Sequence, residues 1–148
     1  MLPYYIYRLI TKFIRPFIVF YILIRISKGK EDRTRIAERY GTSDVERKKG
    51  KVIWFHAASI GESLSILPLL SKLNSDKSID QIILTTGTLT SANILKSKLS
   101  KKIIHQYIPF DIPSYVNKFL NHWDPSLAVF VESEIWPNFL TELKKRNI

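Results

Sequence analysis

The chain of 148 residues contains no cysteine. Disulfide bonds and thiolate metal sites are therefore excluded, and the absence fits a reducing compartment. A long hydrophobic run is also missing, because the longest uncharged apolar stretch, 16–24, is far shorter than the roughly 20 residues that span a bilayer. No GxxxxGK[ST] sequence occurs and no GxGxxG follows the first predicted strand, which removes the P-loop and the dinucleotide fingerprint.

Acidic residues are few, and the charge is unevenly distributed. The chain has 13 acidic against 23 basic residues, and residues 1–50 carry a net charge of +7 against +3 for residues 51–148. A basic N-terminal region favours a polyanionic partner, such as anionic lipid head groups or nucleic acid, with a solvated basic face as the alternative. The length suffices for one domain with a core, and not for two full domains.

Residues 1–27 are predicted to form a membrane-associated helix. Arg8, Lys12 and Arg15 are spaced by four and three residues, which places them on one helical face. Two interpretations stay open: a helix lying in the interface with its basic stripe towards lipid phosphates, and a tilted anchor whose basic residues snorkel. A signal peptide would need a small-residue cleavage site after the apolar run, which this segment lacks. The basic residues argue against a buried core helix. Side chains that favour the lipid–water boundary are Tyr4, Tyr5 and Tyr7.

Residues 28–50 are predicted to be a charged helix and a linker. Both signs of charge alternate through 28–40, which is typical of an exposed helix, and Gly41 is a natural helix stop. Residues 42–50 are polar and charged, and are read as the linker.

Residues 51–148 alternate between β-prone runs and helical patterns. Strands are predicted at 51–57, 81–86, 103–107 and 127–131. The first helix opens at 59–63, the second runs to about residue 99, the third ends near Trp123, and the last has Pro137 in its first turn. In the first helix the i, i+3, i+4, i+7 spacing predicts an inward face of Ile66, Leu69, Leu70 and Leu73. This order predicts an α/β fold, a Rossmann-like open parallel sheet with helices on both faces.

The candidate site follows from that topology, because ligands bind outside the carboxyl ends of the strands in such sheets. The polar turns after the first, second and fourth strands supply Ser59, Gly61, Glu62, Thr86, Thr88, Thr90, Glu132 and Glu134. Glu62 directly follows Gly61, which allows close approach of a ligand to the backbone, and a carboxylate there suits a general base towards a sugar hydroxyl. Interaction with the helix N-terminus is the structural alternative for Glu62. The carboxylates of Glu132 and Glu134 either bracket a sugar or cap the last helix.

Four segments resemble, in order and at compatible spacing, the motifs of the Kdo (3-deoxy-D-manno-oct-2-ulosonate) transferases of lipopolysaccharide assembly. Residues 56–62 resemble their S-x-G-E segment, and 84–91 resemble their threonine-rich second turn. Residues 107–113 look like their Y-x-P-[YF]-D-x-P element, and 132–138 are similar to their E-x-E-x-W-P-N. The apolar opening and residues 38–41 match as well. The threonine turn reads T-G-T-L-T-S here, where many members read T-M-T-P-T-G.

The resemblance implies the N-terminal, acceptor-binding half of a GT-B fold, in which two Rossmann-like domains face a cleft. It implies transfer of Kdo from CMP-Kdo to a glucosamine hydroxyl of a lipid A precursor (lipid IVA), with no metal and no cofactor. Glu62 matches the family's proposed general base, and Glu132 matches a glutamate assigned to transition-state support. Substrate binding is expected of Ser59, Gly61, Thr86, Thr88, Thr90 and Glu134.

The family's nucleotide-sugar domain is expected to be absent from this chain, in which 51–148 form the acceptor domain. One interpretation is a part that works with a separate C-terminal domain at the cytoplasmic face of the bacterial inner membrane. The alternative is a non-catalytic, membrane-bound remnant that binds the lipid acceptor only. Nucleic-acid binding is not expected, because the basic residues cluster beside an apolar helix and no recognition motif is present.

Overall fold

A four-stranded parallel sheet lies at the centre of the structure, a computed structural model that describes residues 2–132 and 134–148, with only the backbone of Leu2. Met1 and Ser133 lie outside the described residues. The strands are β1 (Val52–Ala57), β2 (Gln81–Thr86), β3 (Ile103–Tyr107) and β4 (Leu127–Val131). Their order is β3-β2-β1-β4, and each neighbouring pair is parallel. The predicted parallel α/β sheet is therefore confirmed.

Helices cover both faces of this sheet. Their bounds are α1 (Leu2–Ser27), α2 (Ile36–Arg39), α3 (Ile60–Ser65), α4 (Leu67–Asn74), α5 (Leu89–Leu95), α6 (Pro113–Trp123) and α7 (Pro137–Lys145), with a 3-10 turn at Arg33–Arg35. Alternate side chains of β1 enter two separate cores, as the period of a strand requires. Trp54 packs against Phe119 of α6, with ring centroids 4.9 Å apart, whereas Phe55 shares its core with Leu70 of α4. Both faces of β1 are buried, which explains why it reads as a continuous apolar run.

The helix predicted after β1 is broken into two. Helix α3 ends at Ser65 and α4 starts at Leu67, because Pro68 has no N–H to continue the first helix and suits the first turn of a new one. The break changes the helical phase, so the predicted inward position of Leu69 is wrong: its side chain is 46% exposed. Helix α5 is also shorter than predicted and ends at Leu95 rather than near residue 99.

The segment from 28 to 50 is packed more tightly than an exposed charged helix. Arg39 is only 4% exposed and Glu31 is also buried, so the exposed prediction is wrong for both. The Arg39 guanidinium donates to both Glu31 carboxylate oxygens, at 3.1 Å each, and to the carbonyls of Gly87 and Ile108. Burial is tolerated because the two charges pair with each other and Arg39 also donates to two carbonyls from distant parts of the chain. The predicted stop at Gly41 is confirmed, with φ of 83° just after α2.

Helix α1 contacts the domain through several polar side chains and the buried Ile18 and Ile22, and most of its apolar side chains point outward. Tyr7 donates to the Asp111 carboxylate at 2.8 Å, and Arg8 lies 3.2 Å from the Glu142 carboxylate. The guanidinium of Arg15 stacks over the Tyr115 ring at 5.7 Å. Two of the three residues of the predicted basic stripe therefore contact protein. The exposed apolar face comprises Tyr5, Ile6, Leu9, Ile10, Phe13, Ile14, Phe17, Val19, Phe20, Tyr21, Leu23 and Ile24.

Within residues 2–132 and 134–148, no helix combines the length and the hydropathy needed to cross a bilayer.

Candidate active site

Three of the polar turns predicted to form a site meet at one edge of the sheet. Strand β1 lies between β2 and β4, so the segments that follow Ala57, Thr86 and Val131 are neighbours at the carboxyl ends of the strands. This is the edge at which parallel α/β sheets bind their ligands. The structure thus brings together turns that are separated by up to about 75 residues in the chain.

The Glu62 carboxylate is held at this edge by two hydrogen bonds. The Ser59 hydroxyl donates to Oε1 at 2.6 Å, and the Ala58 N–H donates to Oε2 at 2.8 Å. Ser59 is also the N-cap of α3, where its Oγ accepts from the Glu62 N–H at 3.2 Å. The pair is a variant of the capping box, so the structural role foreseen for Glu62 is present. The same bonds fix the position of a half-buried carboxylate at the carboxyl end of β1.

Gly61 leaves the crevice open beside Glu62. A Cβ built there would meet, among the described residues, only the Ser59 Oγ at 3.9 Å. Contacts within the described chain therefore do not require glycine at this position. The open space is available to a ligand.

The three threonines after β2 differ in their surroundings. Thr86 is fully buried, and its hydroxyl hydrogen-bonds the His105 Nε2 at 2.9 Å. Thr88 is the N-cap of α5 and accepts from the Ser91 N–H at 3.1 Å. Thr90 is exposed in the first turn of α5, and it lines a shallow cavity with Thr88 and Arg25. Only Thr88 and Thr90 are thus open to a ligand.

The two carboxylates after β4 are also separated. Glu132 is exposed and has a left-handed backbone with φ of 72°, a conformation that is costly for a residue with a Cβ. Glu134 accepts from the Trp136 indole N–H at 2.7 Å and lies 3.7 Å from the His56 Nε2. Backbone strain of this kind often occurs at functional sites, so the conformation of Glu132 favours a functional role for this residue.

A cavity of about 230 Å³ lies between this edge and the C-terminal half of α1. Its walls include His56, Glu134 and Trp136 from the sheet side and Arg25 from α1. The backbone of Ala58, which holds Glu62, borders the same space. Of the predicted site residues, Glu134 lines the cavity directly and Glu62 adjoins it through Ala58.

Buried charge surrounds the cavity on the α1 side. Glu31 bonds Arg39 and also accepts from Arg25 Nε at 2.7 Å, so one carboxylate faces two guanidinium groups. This leaves one positive charge of excess, opposite the Glu134 carboxylate. Sequence analysis did not identify Arg25, Glu31 and Arg39 as cavity residues. Arg39 is held there by the carbonyls of Gly87 and Ile108, which lie 48 and 69 residues away in the chain. The only available signal was the match of residues 38–41 to a family motif.

Burial lowers the pKa of His56, whose ring is almost inaccessible, and it keeps the imidazole neutral near pH 7. The neighbouring Glu134 carboxylate opposes this effect. Among the residues that the structure describes, no group of three or more His, Asp or Glu side chains lies close enough together to hold a metal ion.

Asp111 explains two of the motifs in structural terms. Its carboxylate accepts from the backbone N–H groups of Asn138 and Phe139, at 3.0 Å each, in the first turn of α7. It also accepts from the Tyr7 hydroxyl. Burial raises the pKa of Asp111, and these hydrogen bonds oppose that shift. One carboxylate therefore joins the 107–113 segment, the start of α7 and helix α1.

The sequence model of a family described as "3-Deoxy-D-manno-octulosonic-acid transferase (kdotransferase)" matches residues 34–148. The chain belongs to the Kdo transferase family. The matched region contains the sheet, every predicted site residue, and Asp111 with its partners in α7.

Individual Kdo transferases resemble the chain over most of its length. It is 36% identical over 137 residues to the "Probable 3-deoxy-D-manno-octulosonic acid transferase, mitochondrial" of Arabidopsis thaliana, covering 93% of this chain and 31% of the relative. The 3-deoxy-D-manno-octulosonic acid transferase of Rickettsia bellii is 36% identical over 141 residues, 95% of this chain and 34% of the relative. That of Haemophilus influenzae is 34% identical over 135 residues, 90% of this chain and 32% of the relative. The chain spans about a third of the length of these relatives.

Proposed function

We propose that this chain is the acceptor-binding part of a Kdo transferase, which transfers Kdo from CMP-Kdo to a glucosamine hydroxyl of a lipid A precursor (lipid IVA). The observation that carries the proposal is the position of Glu62. Its carboxylate is fixed by Ser59 and Ala58 at the carboxyl end of β1, beside an open Gly61. A carboxylate has about four lone-pair positions, so two hydrogen bonds leave it able to accept a proton.

Glu62 acts as the general base. It takes the proton of the acceptor hydroxyl while the hydroxyl oxygen attacks the anomeric carbon of Kdo. The bond from that carbon to the phosphate oxygen breaks, and CMP leaves with the bonding electrons. Because Ser59 and Ala58 already orient the carboxylate, little reorganisation is needed, and general base catalysis contributes about 10²–10⁴-fold in rate.

Glu132 supports the transition state in this proposal. A sugar that loses its leaving group develops positive charge at the anomeric carbon, which a nearby carboxylate stabilises. The left-handed backbone of Glu132 supports the assignment, since such strain persists where the surrounding structure holds a side chain in a required place. The remaining contacts to the acceptor come from Ser59, Gly61, Thr88, Thr90 and Glu134. Thr86, also predicted to bind substrate, is buried against His105 and supports the turn without contacting the acceptor.

The donor is held by a nucleotide-sugar domain of GT-B type. Two substrates must be held in register for a group transfer, and the crevice of this chain supplies one half of that arrangement. The reaction as proposed uses neither a metal nor a cofactor.

The chain is proposed to lie on the cytoplasmic face of the bacterial inner membrane, where its acceptor is found. The outward apolar face of α1 supports this proposal, as does the basic N-terminal region. An amphipathic helix with basic neighbours binds an anionic interface through buried apolar area and electrostatic attraction.

Transfer of Kdo from CMP-Kdo to lipid IVA tests the proposal. The chain is assayed alone and mixed with a separately expressed nucleotide-sugar domain of the Rickettsia bellii relative. We expect activity in the mixture, and a 10²–10⁴-fold loss with Glu62→Gln, which keeps the size and an acceptor for Ala58 but not the base. Glu46→Gln, a change at an exposed carboxylate in the 42–50 loop, is the matched control and retains activity.

Both variants are first checked by thermal unfolding, so that a lost fold is not mistaken for a lost base. Full activity of Glu62→Gln would assign the base elsewhere. A mixture that binds lipid IVA without transferring Kdo would favour the binding-only alternative.

A further inference from the structure

His56 presents a buried nitrogen to the cavity beside α1. The residue is 1% exposed, and among the described residues its Nε2 has no hydrogen-bond partner. The Glu134 Oε2, which also borders the cavity, lies 3.7 Å from this Nε2, which is beyond hydrogen-bond length. Leaving a buried polar atom unsatisfied costs free energy, so such an atom in a cavity indicates a missing partner.

The hydrogen bonds of the other ring nitrogen determine the tautomer of His56. Its Nδ1 lies 3.2 Å from the Thr85 carbonyl oxygen, which can only accept. The Thr85 hydroxyl, 3.0 Å away, already donates to the Phe55 carbonyl and accepts from the Trp54 indole N–H. With the hydroxyl donating to Phe55, we assign the proton to Nδ1, which donates to the Thr85 carbonyl. Nε2 is left as a bare acceptor that faces the cavity.

Two acceptors consequently face each other across the same gap. Glu134 contributes a carboxylate oxygen and neutral His56 contributes a lone pair. A donor group beside the line that joins these atoms can lie about 2.8 Å from both, because 3.7 Å is less than twice that length. An amine there donates to each acceptor, and a hydroxyl shares its one hydrogen between them. A ligand that fits this pair of residues therefore carries a hydrogen-bond donor next to Nε2 of His56 and the Glu134 carboxylate.

The other walls of the cavity suit a sugar ring. The rings of Tyr21, Phe110 and Trp136 border it, and aromatic faces pack well against the apolar C–H faces of a pyranose. Arg25 supplies a donor on the opposite wall. The volume of about 230 Å³ lies below the roughly 300–1,000 Å³ of drug-sized pockets, which leaves room for one ring rather than for a disaccharide.

We propose that this cavity is a subsite for a single pyranose, and that His56 is a binding residue that accepts a hydrogen bond from a sugar hydroxyl or amine at Nε2, shared with Glu134. The identity of the sugar as the acceptor glucosamine rests on the proposed function. The role of His56 rests on the cavity and on its tautomer, which are independent of Kdo transfer.

Two substitutions test the two ring nitrogens of His56 separately. His56→Asn places an amide N–H where Nδ1 bonds Thr85 and removes the Nε2 acceptor. His56→Gln reaches the Nε2 position with an amide oxygen and gives up the bond to Thr85. If His56 is purely structural, Asn is the better replacement. If His56 binds the ligand, Gln is the better replacement.

The test is an NMR titration of the complete 148-residue chain with methyl β-D-glucosaminide. In the wild type we expect the ¹⁵N spectrum to show His56 protonated at Nδ1, and its Nε2 resonance to shift as the sugar is added. His56→Asn is expected to weaken sugar binding roughly tenfold, and His56→Gln to weaken it less. His122→Asn, at a histidine outside the cavity that contacts the Val45 carbonyl, is the control and retains the wild-type affinity.

Failure of this inference is distinguishable from failure of the proposed function. Equal sugar affinity of the wild type and His56→Asn, or an unmoved Nε2 resonance, would overturn the subsite and leave the Kdo transfer assay unaffected. Glu62→Gln is expected to bind the sugar normally while abolishing transfer. In the mixed assay, His56→Asn is expected to raise KM for the acceptor more than it lowers kcat, and the reverse split would contradict a binding role.

Discussion

At the scale of single residues, His56 and His105 are assigned opposite tautomers because their partners differ. The Nδ1 of His56 faces a carbonyl oxygen and therefore carries a proton. The Nδ1 of His105 lies 3.0 Å from Arg35 Nη2, which only donates, so the proton is on Nε2 and is given to the Thr86 hydroxyl. Burial, reinforced by the charges of Arg35 and Arg39, lowers the pKa of His105 to about 3. Neutral His105 thereby links the segment before the sheet to the end of β2.

This shift predicts a stability that depends on pH. The unfolded chain protonates His105 near pH 6.5, whereas the folded chain does so only near pH 3, so the unfolded state binds more protons in between. The stabilisation is complete above about pH 6.5 and is lost as the pH falls towards 3, at about 1.4 kcal/mol per pH unit.

Urea unfolding of the wild type and of His105→Gln, which cannot titrate, measures the effect. From about pH 7 to about pH 5 the stability advantage of the wild type over the variant is expected to shrink by about 2 kcal/mol. His56 is common to both proteins and cancels in the comparison. An advantage that does not change with pH would show that His105 is not held neutral.

At the scale of elements, the short helix α2 is placed by a close backbone contact. Gly41 follows α2 with φ of 83°, and a Cβ built there would lie 2.1 Å from the Tyr115 carbonyl oxygen of α6. Any side chain at position 41 is therefore destabilising for two reasons: it must adopt a left-handed backbone, and its Cβ collides with helix α6. Gly29, with φ of 63°, has the first of these costs alone, since no described atom beyond its own and the two adjacent residues lies within 4 Å of its Cβ position.

Alanine substitutions at these two glycines separate the two costs. Gly29→Ala is expected to lower the free energy of unfolding by about 1–2 kcal/mol, the cost of a left-handed residue. Gly41→Ala is expected to lower it by a further 1–3 kcal/mol or so, because α6 must shift to make room. Chemical denaturation of both variants gives the difference, and equal losses would mean that α2 does not contact α6 as closely as the structure has it.

At the scale of the whole molecule, α1 is built with its polarity reversed relative to a helix that covers a soluble core. Its inner side is bound through Tyr7, Arg8 and Arg15, with Ile18 and Ile22 as its buried apolar contacts. Its outer side carries exposed aromatic and aliphatic residues, including Phe13 at 70% exposure. A continuous apolar surface of this extent normally marks an interaction site.

The proposed membrane contact predicts the effect of a charge on that surface. Phe13→Glu is expected to reduce co-sedimentation with anionic phospholipid vesicles by about 10- to 100-fold, since burying a phenylalanine contributes about 1.5–3 kcal/mol. Leu69→Glu, an equally drastic change at an exposed position of α4 on the opposite side of the sheet, is the matched control. Equal binding by both variants would remove α1 from the membrane contact.

Prediction from the sequence succeeded where a pattern depends on near neighbours and failed where it depends on distant ones. The four strands were readable because residues such as those of β1 are buried on both faces and form unbroken apolar runs. The inward position predicted for Leu69 was wrong because Pro68 restarts the helix in a different phase. The burial of Arg39 was missed because the carbonyl of Ile108, one of its partners, lies 69 residues away.

The sequence by itself determined the order of strands and helices, the parallel sheet and the edge at which the polar turns meet. Those properties follow from periodicity, turn chemistry and the handedness of parallel connections, all of which act locally. Only the tertiary structure decided that Thr86 is sealed against His105, that Glu134 faces His56, and that the polar side of α1 turns inward. Each of those depends on which buried polar group finds a partner, and the partners come together only when the chain has folded.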